Sequence, residues 1–243
     1  MILSHGEPDV GERKLWSPIV RLMSYNVRSL RDDKDAVAAV IRACKADVVC
    51  IQEAPRFLRW RSKCAALARE SGMFVVTGGR TAGAMLLLAR IGVDVEAAHD
   101  VLLDKRPKLH QRGLAVGVLR VAGERYAVAS MHLSLNDDER GHQIPEVLGH
   151  MERLADGAPI VLAGDVNETP DRPRWIALSR RLTDAFTVAP FGDGNTYSAA
   201  TPYKRIDGIF VDERITVVSC GVPDVPGVAQ ASDHCPVIAD LRV

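Results

Sequence analysis

PIVLAGDV (159–166) is a short apolar run that reads as a β-strand, and its continuation, LAGDVNETP (162–170), ends that strand in Asp165 and Asn167. The same arrangement recurs along the chain. MSYN ends at Asn26, CIQE at Glu53 and SMHL at His132, and the C-terminal apolar run begins just after Asp233 and His234. Asn and Asp favour strand exits as turn formers, which accounts for any one of these positions alone. It does not account for all of them together. Carboxylates, amides and imidazoles at several strand ends converge when the sheets pack with those ends on one edge, where loops on a rigid scaffold carry function.

Outward from these strand ends, apolar runs alternate with helical patterns. IVRLMSY (19–25) is followed by helical DAVAAVIRACK (35–45), strand-like DVVCIQ (47–52), helical RFLRWRSKCAALARES (56–71), and the strand-like runs MFVVT (73–77) and AMLLLA (84–89). The segment from Val93 to Leu133 reads as strand-rich. A helical stretch near Asp137–Ala155 precedes the 159–166 strand, and a short helix at Trp175 and three more strand-like runs complete the chain. The class is α/β. Residues 1–17 mix Gly, Pro and charge without periodicity and read as a flexible arm, leaving 18–243 as a single domain with no Pro/Ser linker inside it.

The 243 residues carry 31 Lys+Arg against 31 Asp+Glu, and 47% are hydrophobic. That composition excludes disorder, collagen-like repeats and coiled coil, and a net charge of zero argues against a generic electrostatic grip on nucleic acid. No run approaches the about 18 apolar residues that span a bilayer, and the N-terminal residues lack a signal-peptide pattern, so a cytoplasmic protein is expected. Five cysteines without CxxC spacing suggest reduced thiols and no zinc knuckle.

The oxygen-rich set Asn26, Glu53, Asp165, Asn167 and Asp233 suits a hard cation, Mg²⁺ or Mn²⁺, which binds through carboxylates and substrate phosphate; the isolated histidines argue against zinc. A cation on a phosphate ester neutralises developing charge while a carboxylate or imidazole positions water, which points to hydrolysis at phosphorus. Asp207 in KRIDGIFV is either the carboxylate that fixes the His234 tautomer or a partner of Arg205.

The segments MSYNV (23–27), VVCIQE (48–53), MHLSL (131–135), LAGDVNETP (162–170), RIDGIFV (205–211) and SDHCPVIADL (232–241) resemble, in order and spacing, the endonuclease/exonuclease/phosphatase (DNase I-like) superfamily. The resemblance runs from about Arg21 to the C-terminus. It implies a four-layer αββα sandwich, two packed mixed β-sheets flanked by helices, with a metal site at one rim. It also implies Glu53 as the main Mg²⁺ ligand with Asn26 beside it, Asp165 orienting or deprotonating the attacking water, and Asn167 holding the phosphorane oxyanion. His234, oriented by Asp207, takes the scissile phosphate as base or charged stabiliser, with Asp233 supporting the metal or the histidine. His132 matches a phosphate contact or leaving-group acid, and Tyr197 an aromatic beside the site. The implied activity is hydrolysis of a phosphodiester in a nucleic acid, nucleotide or phospholipid. The alternatives are a phosphomonoesterase acting on a small metabolite and a non-catalytic binding protein. The strand often written GNAILSR in relatives reads AGAMLLLAR here, and no carboxylate partner for His132 is evident.

Other motifs have plainer readings. His142, Glu146 and His150 share a helix face, but Pro145 limits regular helix there and the spacing is not that of a metalloprotease, so a solvated face is expected. RFLRWRSK (56–63), basic with interleaved aromatics close behind Glu53, either holds a nucleic-acid backbone against the site or is part of an amphipathic core-packing helix in which Phe57, Trp60, Cys64 and Leu67 form an apolar stripe with the arginines elsewhere, and the two readings are compatible. Arg106, Lys108 and Arg112 in the basic loop KRPKLHQR (105–112) either steer an anionic substrate, Arg112 foremost, or are only solvated. Cys235 reads as a small buried residue.

Overall fold

The computed structural model describes residues 18–242, and the arm expected over residues 1–17 lies outside them. In chain order the strands are β1 (Val20–Asn26), β2 (Val48–Gln52), β3 (Met73–Gly79), β4 (Met85–Arg90), β5 (Val93–Leu102), β6 (Gly113–Val121), β7 (Glu124–His132), β8 (Ile160–Asp165), β9 (Thr183–Asp184), β10 (Pro190–Phe191), β11 (Asp207–Val211), β12 (Thr216–Gly221) and β13 (Val237–Arg242). The α-helices are α1 (Lys34–Cys44), α2 (Trp60–Glu70), α3 (Asp137–Leu154), α4 (Pro173–Ser179), α5 (Ala185–Val188) and α6 (Val228–Ala231).

Two mixed sheets result, ordered β10-β12-β13-β1-β2-β4-β3 and β5-β6-β7-β8-β11-β9. The central strands are buried on both faces, which is why they read as unbroken apolar runs. Successive residues serve different layers. Leu22, Cys50 and Leu87 point between the sheets, where they meet Ala115, Val128 and Ile209. Their neighbours Met23, Ile51 and Leu88 face Val37 and Ile41 of α1 and Leu67 of α2. On the other side, Val116, Ala129 and Leu162 face Ile144, Val147 and Met151 of α3 and Trp175 of α4. Three apolar layers separate four layers of backbone, as the resemblance implied.

Each sheet holds one βαβ unit. β1 and β2 pair in parallel across α1, in register Asn26↔Gln52. β7 and β8 pair in parallel across α3, in register His132↔Asp165. Helix α1 starts where the Asp33 carboxylate accepts from the Asp35 and Ala36 amides and stops at Lys45 in the left-handed region. Helix α3 is likewise capped by Asn136.

Two expectations are corrected. Helix α2 starts at Trp60, not at residue 56, because Arg59 adopts a left-handed conformation and breaks the stripe; Phe57 is 69% exposed instead of packed. Pro145 lies inside α3 without ending it, since packing of Ile144, Val147 and Met151 outweighs one lost hydrogen bond. The i, i+4, i+8 set serves local contacts, as Glu146 accepts from the Asp104 amide and His142 meets the Asp138 carbonyl and Arg106.

Candidate active site

The parallel pairs point their carboxyl ends at the same rim, and the side chains at those ends meet across the gap between the sheets. Asn26, the last residue of β1, donates from Nδ2 to Asp165 Oδ2 at 3.1 Å and to Glu53 Oε1 at 3.3 Å. Its Oδ1 accepts from the Arg28 amide, so the amide nitrogen is the atom turned to the carboxylates. Glu53 follows β2 with a φ of 53°, a left-handed kink that turns its side chain off the strand.

Asp165 ends β8. Gly164 before it lets the β7 backbone approach, because a Cβ there meets the Met131 carbonyl oxygen at 1.9 Å. Asp165 Oδ1 accepts from the Asn167 amide at 2.9 Å, and Oδ2 lies 3.3 Å from His132 Nε2 and 3.7 Å from His234 Nε2. Asn167 Nδ2 donates to the Leu133 carbonyl and to His132 Nε2. An imidazole that accepts at Nε2 carries its proton on Nδ1, and that buried atom has no partner among the described residues.

His234 Nδ1 meets Asp207 Oδ2 at 2.8 Å. Asp207 is 2% exposed and His234 6%, so this is a buried pair. The alternative reading of Asp207 falls, because Arg205 pairs with Asp184 at 2.9 Å and stacks on Trp175. The Tyr197 ring packs at an edge angle on the His234 ring, centroids 5.1 Å apart.

The electrostatics divide the site. Burial, and then the neighbouring charge of Asp207, push the Asp165 carboxyl up. Burial opposes protonation of His234, but Asp207, with Asp165 and Asp233 behind it, outweighs that and raises the imidazole to about 10. Burial, with Arg112 next, holds His132 well below its ordinary value.

Of the residues singled out from sequence, Asn26, Glu53, His132, Asp165, Asn167, Asp207, Tyr197 and His234 come together here. Glu53, Arg112, His132, Asp165, Asn167, Tyr197 and His234 line a cleft of about 380 Å³. Arg112 is a cleft residue, not a solvated one. Asp233 stands apart, its carboxylate 3.4 Å from Arg28 Nε and outside the cleft lining. Four contributors went unread. Thr196 Oγ1 accepts from the Asp207 amide, and Ser232 Oγ donates to the Asn26 carbonyl and accepts from the His234 amide. Both hydroxyls adjoin motif residues, but nothing in sequence says which backbone they hold. Lys204 and Arg56 also line the cleft; the basic run after Glu53 signals Arg56, and nothing in sequence signals Lys204.

A divalent cation is implied by the donor set, and the residues fit one. Asp165, Asp207 and His234 bring one ligand atom each within 4.8 Å of one another. Asp207 Oδ1 is buried without a donor, and the Glu53 and Asp165 oxygens converge on the same Asn26 nitrogen, a hard, oxygen-rich set.

Residues 23–234 match the profile of the Endonuclease/Exonuclease/phosphatase family. The chain belongs to that family. It is 25% identical over 124 residues to the uncharacterized protein YbhP of Escherichia coli K12, a match spanning 51% of this chain and 49% of that one. Among solved structures it is similar to the Bacteroides thetaiotaomicron mannosyl-6-phosphatase Bt3783, with a TM-score of 0.79 at 19% identity over 92% of this chain and 100% of the other. It is also similar to D. rerio TDP2 complexed with a single-strand DNA product, with a TM-score of 0.70 at 17% identity over 93% and 99% of the two chains. These likenesses are of fold. No helix among the described residues is long and apolar enough to cross a membrane.

Proposed function

We propose that the chain is a phosphoesterase dependent on Mg²⁺ or Mn²⁺ that hydrolyses a phosphodiester by in-line attack of water, acting as one catalytic domain over residues 18–243. The observation that carries this reading is the buried His234–Asp207 pair set against Asp165 in a cleft that also holds Glu53. Glu53 is the ligand expected to hold the cation, with Asn26 positioned beside it. A cation held there would supply positive charge to offset the charge that develops on the phosphate.

The side chains supply the rest. Asp165 accepts a proton from the attacking water at Oδ2, the oxygen nearer both histidines. His234, held by Asp207, presents Nε2 to the phosphate as a charged hydrogen-bond donor. Asn167, on the same cleft wall as Asp165, is the amide assigned to the oxyanion of the five-coordinate phosphorus, Nδ2 exchanging its contact with His132 Nε2 for that oxygen, and His132 is the neutral imidazole beside it. Arg112 adds a guanidinium on the same cleft wall. The five buried, unpaired cysteines suit a reducing, cytoplasmic setting.

The test is hydrolysis of bis-p-nitrophenyl phosphate and p-nitrophenyl phosphate by metal-stripped protein, with and without added Mg²⁺ or Mn²⁺, beside His234→Ala. Metal-restored cleavage that the variant loses is the expected result, with the diester preferred. A preference for the monoester moves the substrate to a phosphorylated metabolite. Full activity in His234→Ala refutes the assigned role, and silence on every ester tried leaves a binding protein on this fold.

A further inference from the structure

Most cations that are less than fully exposed in this protein are neutralised. Arg21, Arg120, Arg125, Arg140, Arg174 and Arg205 each meet a carboxylate. Three half-buried ones that line the cleft do not. Among the described residues Arg56, Arg112 and Lys204 form no ion pair, and Arg112 Nε is buried without any acceptor. Leaving a partly desolvated cation without an anion is costly, so three around one opening mark a place where anions bind.

Two of the three form lips that belong to different sheets, Arg56 following β2 and Lys204 preceding β11, each beside an aromatic neighbour in sequence. The Arg56 guanidinium lies 5.3 Å from the Phe57 ring. Lys204 Nζ lies 4.6 Å from the Tyr197 ring and 5.5 Å from the Tyr203 ring. A ring face steadies a cation without cancelling its charge, so both remain available to an anion. The aromatics themselves are bare, with Phe57 69% and Tyr203 65% exposed. The backbone holds these positions. Tyr197 and Lys204 exchange amide hydrogen bonds, and Tyr203 donates to the Tyr197 carbonyl. An exposed ring beside an unpaired cation, repeated on both lips, suits a ligand with flat groups and further anionic groups beyond the scissile phosphate.

We propose that the Arg56–Phe57 and Tyr203–Lys204 lips are subsites for the non-scissile parts of the substrate, which is therefore a phosphate ester carrying a planar ring and at least one additional phosphate. This rests on the phosphoesterase reading for what happens at the centre, while the subsites themselves are read by binding alone.

The experiment is calorimetric titration of the full chain in EDTA, where turnover does not intervene, with deoxyribose 5-phosphate, thymidine 5′-monophosphate and thymidine 3′,5′-bisphosphate. The bisphosphate is expected to bind at least about tenfold more tightly than the monophosphate, the scale of one charge-assisted contact. Arg56→Gln combined with Lys204→Gln cuts that advantage to below about threefold. Phe57→Ala, at an exposed position where folding is not at stake, weakens both nucleotides by about threefold or more and leaves deoxyribose 5-phosphate unchanged. Equal affinity for the two nucleotides in the unaltered protein overturns the proposal, as does a full bisphosphate advantage in the double variant. If the binding ladder holds but metal-restored ester hydrolysis is absent, the subsites stand and the phosphoesterase reading falls; the reverse pattern removes the subsites alone.

Discussion

Asp207→Asn exchanges the carboxylate at 2.8 Å from His234 Nδ1 for a neutral amide of the same shape, and its effect is readable in the pH dependence of stability. In the folded protein the His234 imidazole is raised to about 10 from an ordinary 6.5. Between those values the folded state holds a proton that the unfolded chain has released. Its contribution is therefore complete below pH 6.5 and is lost as pH rises through about 10. One proton's difference gives a slope of at most about 1.4 kcal/mol per pH unit. The carboxylate is the largest favourable influence on the charged ring, so its removal lets burial dominate and flattens most of that slope. Urea denaturation of metal-free protein at pH 7, 8 and 9 measures it, with the titration of ordinary Lys and Tyr residues cancelling between the two proteins. The unaltered chain should lose stability steadily over this range, and Asp207→Asn should be lower at pH 7 by about 3 kcal/mol but nearly level above it. Parallel pH profiles for the two proteins would refute the assignment of a protonated, Asp207-supported His234. The same variant should reduce ester hydrolysis by about 100-fold or more, since orientation survives and charge does not.

Glu53→Gln should fold normally and lose the thermal stabilisation that millimolar Mg²⁺ or Mn²⁺ gives the parent; retention of that stabilisation assigns the cation to other ligands, foremost the cluster of Asp165, Asp207 and His234. Arg205→Met strands the buried Asp184 carboxylate and should destabilise by about 3–5 kcal/mol in urea, with little change in KM for the protein that remains folded. Gly164→Ala places a methyl 1.9 Å from the Met131 carbonyl oxygen and should separate β7 from β8, so that activity falls further than the melting temperature alone explains. Cys44, Cys64 and Cys235 are each pushed up to about 11 by burial, and native protein should react with a thiol reagent at pH 8 orders of magnitude more slowly than urea-unfolded protein.

The strands and most helices were legible because the layers impose a simple pattern. Strands buried on both faces become apolar runs, and the polar residues at their ends stand out against them. Local cues misled where tertiary structure decided the outcome. The left-handed Arg59 ended the apparent stripe that included Phe57, and packing carried α3 through Pro145. The site's inventory was legible for the same reason as the strands, while the choice among partners was not. Asp207 had two candidate cations within its own neighbourhood of sequence and space, and only the fold shows Arg205 turned to Asp184 and His234 brought across to Asp207. Asp233, adjacent to His234 in sequence, sits at a bend and faces Arg28 instead of the cleft.

Why these strand ends meet follows from the two βαβ units. Each parallel pair brings two carboxyl ends level with one another, Asn26 beside Gln52 in one sheet and His132 beside Asp165 in the other. Packing the sheets face to face then brings the two edges together. Gln52 is turned inward to donate to the Ser130 hydroxyl, and this leaves the next residue, Glu53, to kink out through its positive φ and face Asn26 and Asp165. Asp207 reaches the same place by a different route, since β11 pairs antiparallel to β8 in register Asp207↔Asp165, so a strand's beginning lies beside another's end. Two carboxylates are thereby fixed side by side in an apolar sandwich, a placement whose repulsion is relieved by the proton on His234 and by any cation between them. The arrangement is unfavourable for stability in isolation and favourable for handling an anionic ester, and it is the inter-sheet packing that holds it.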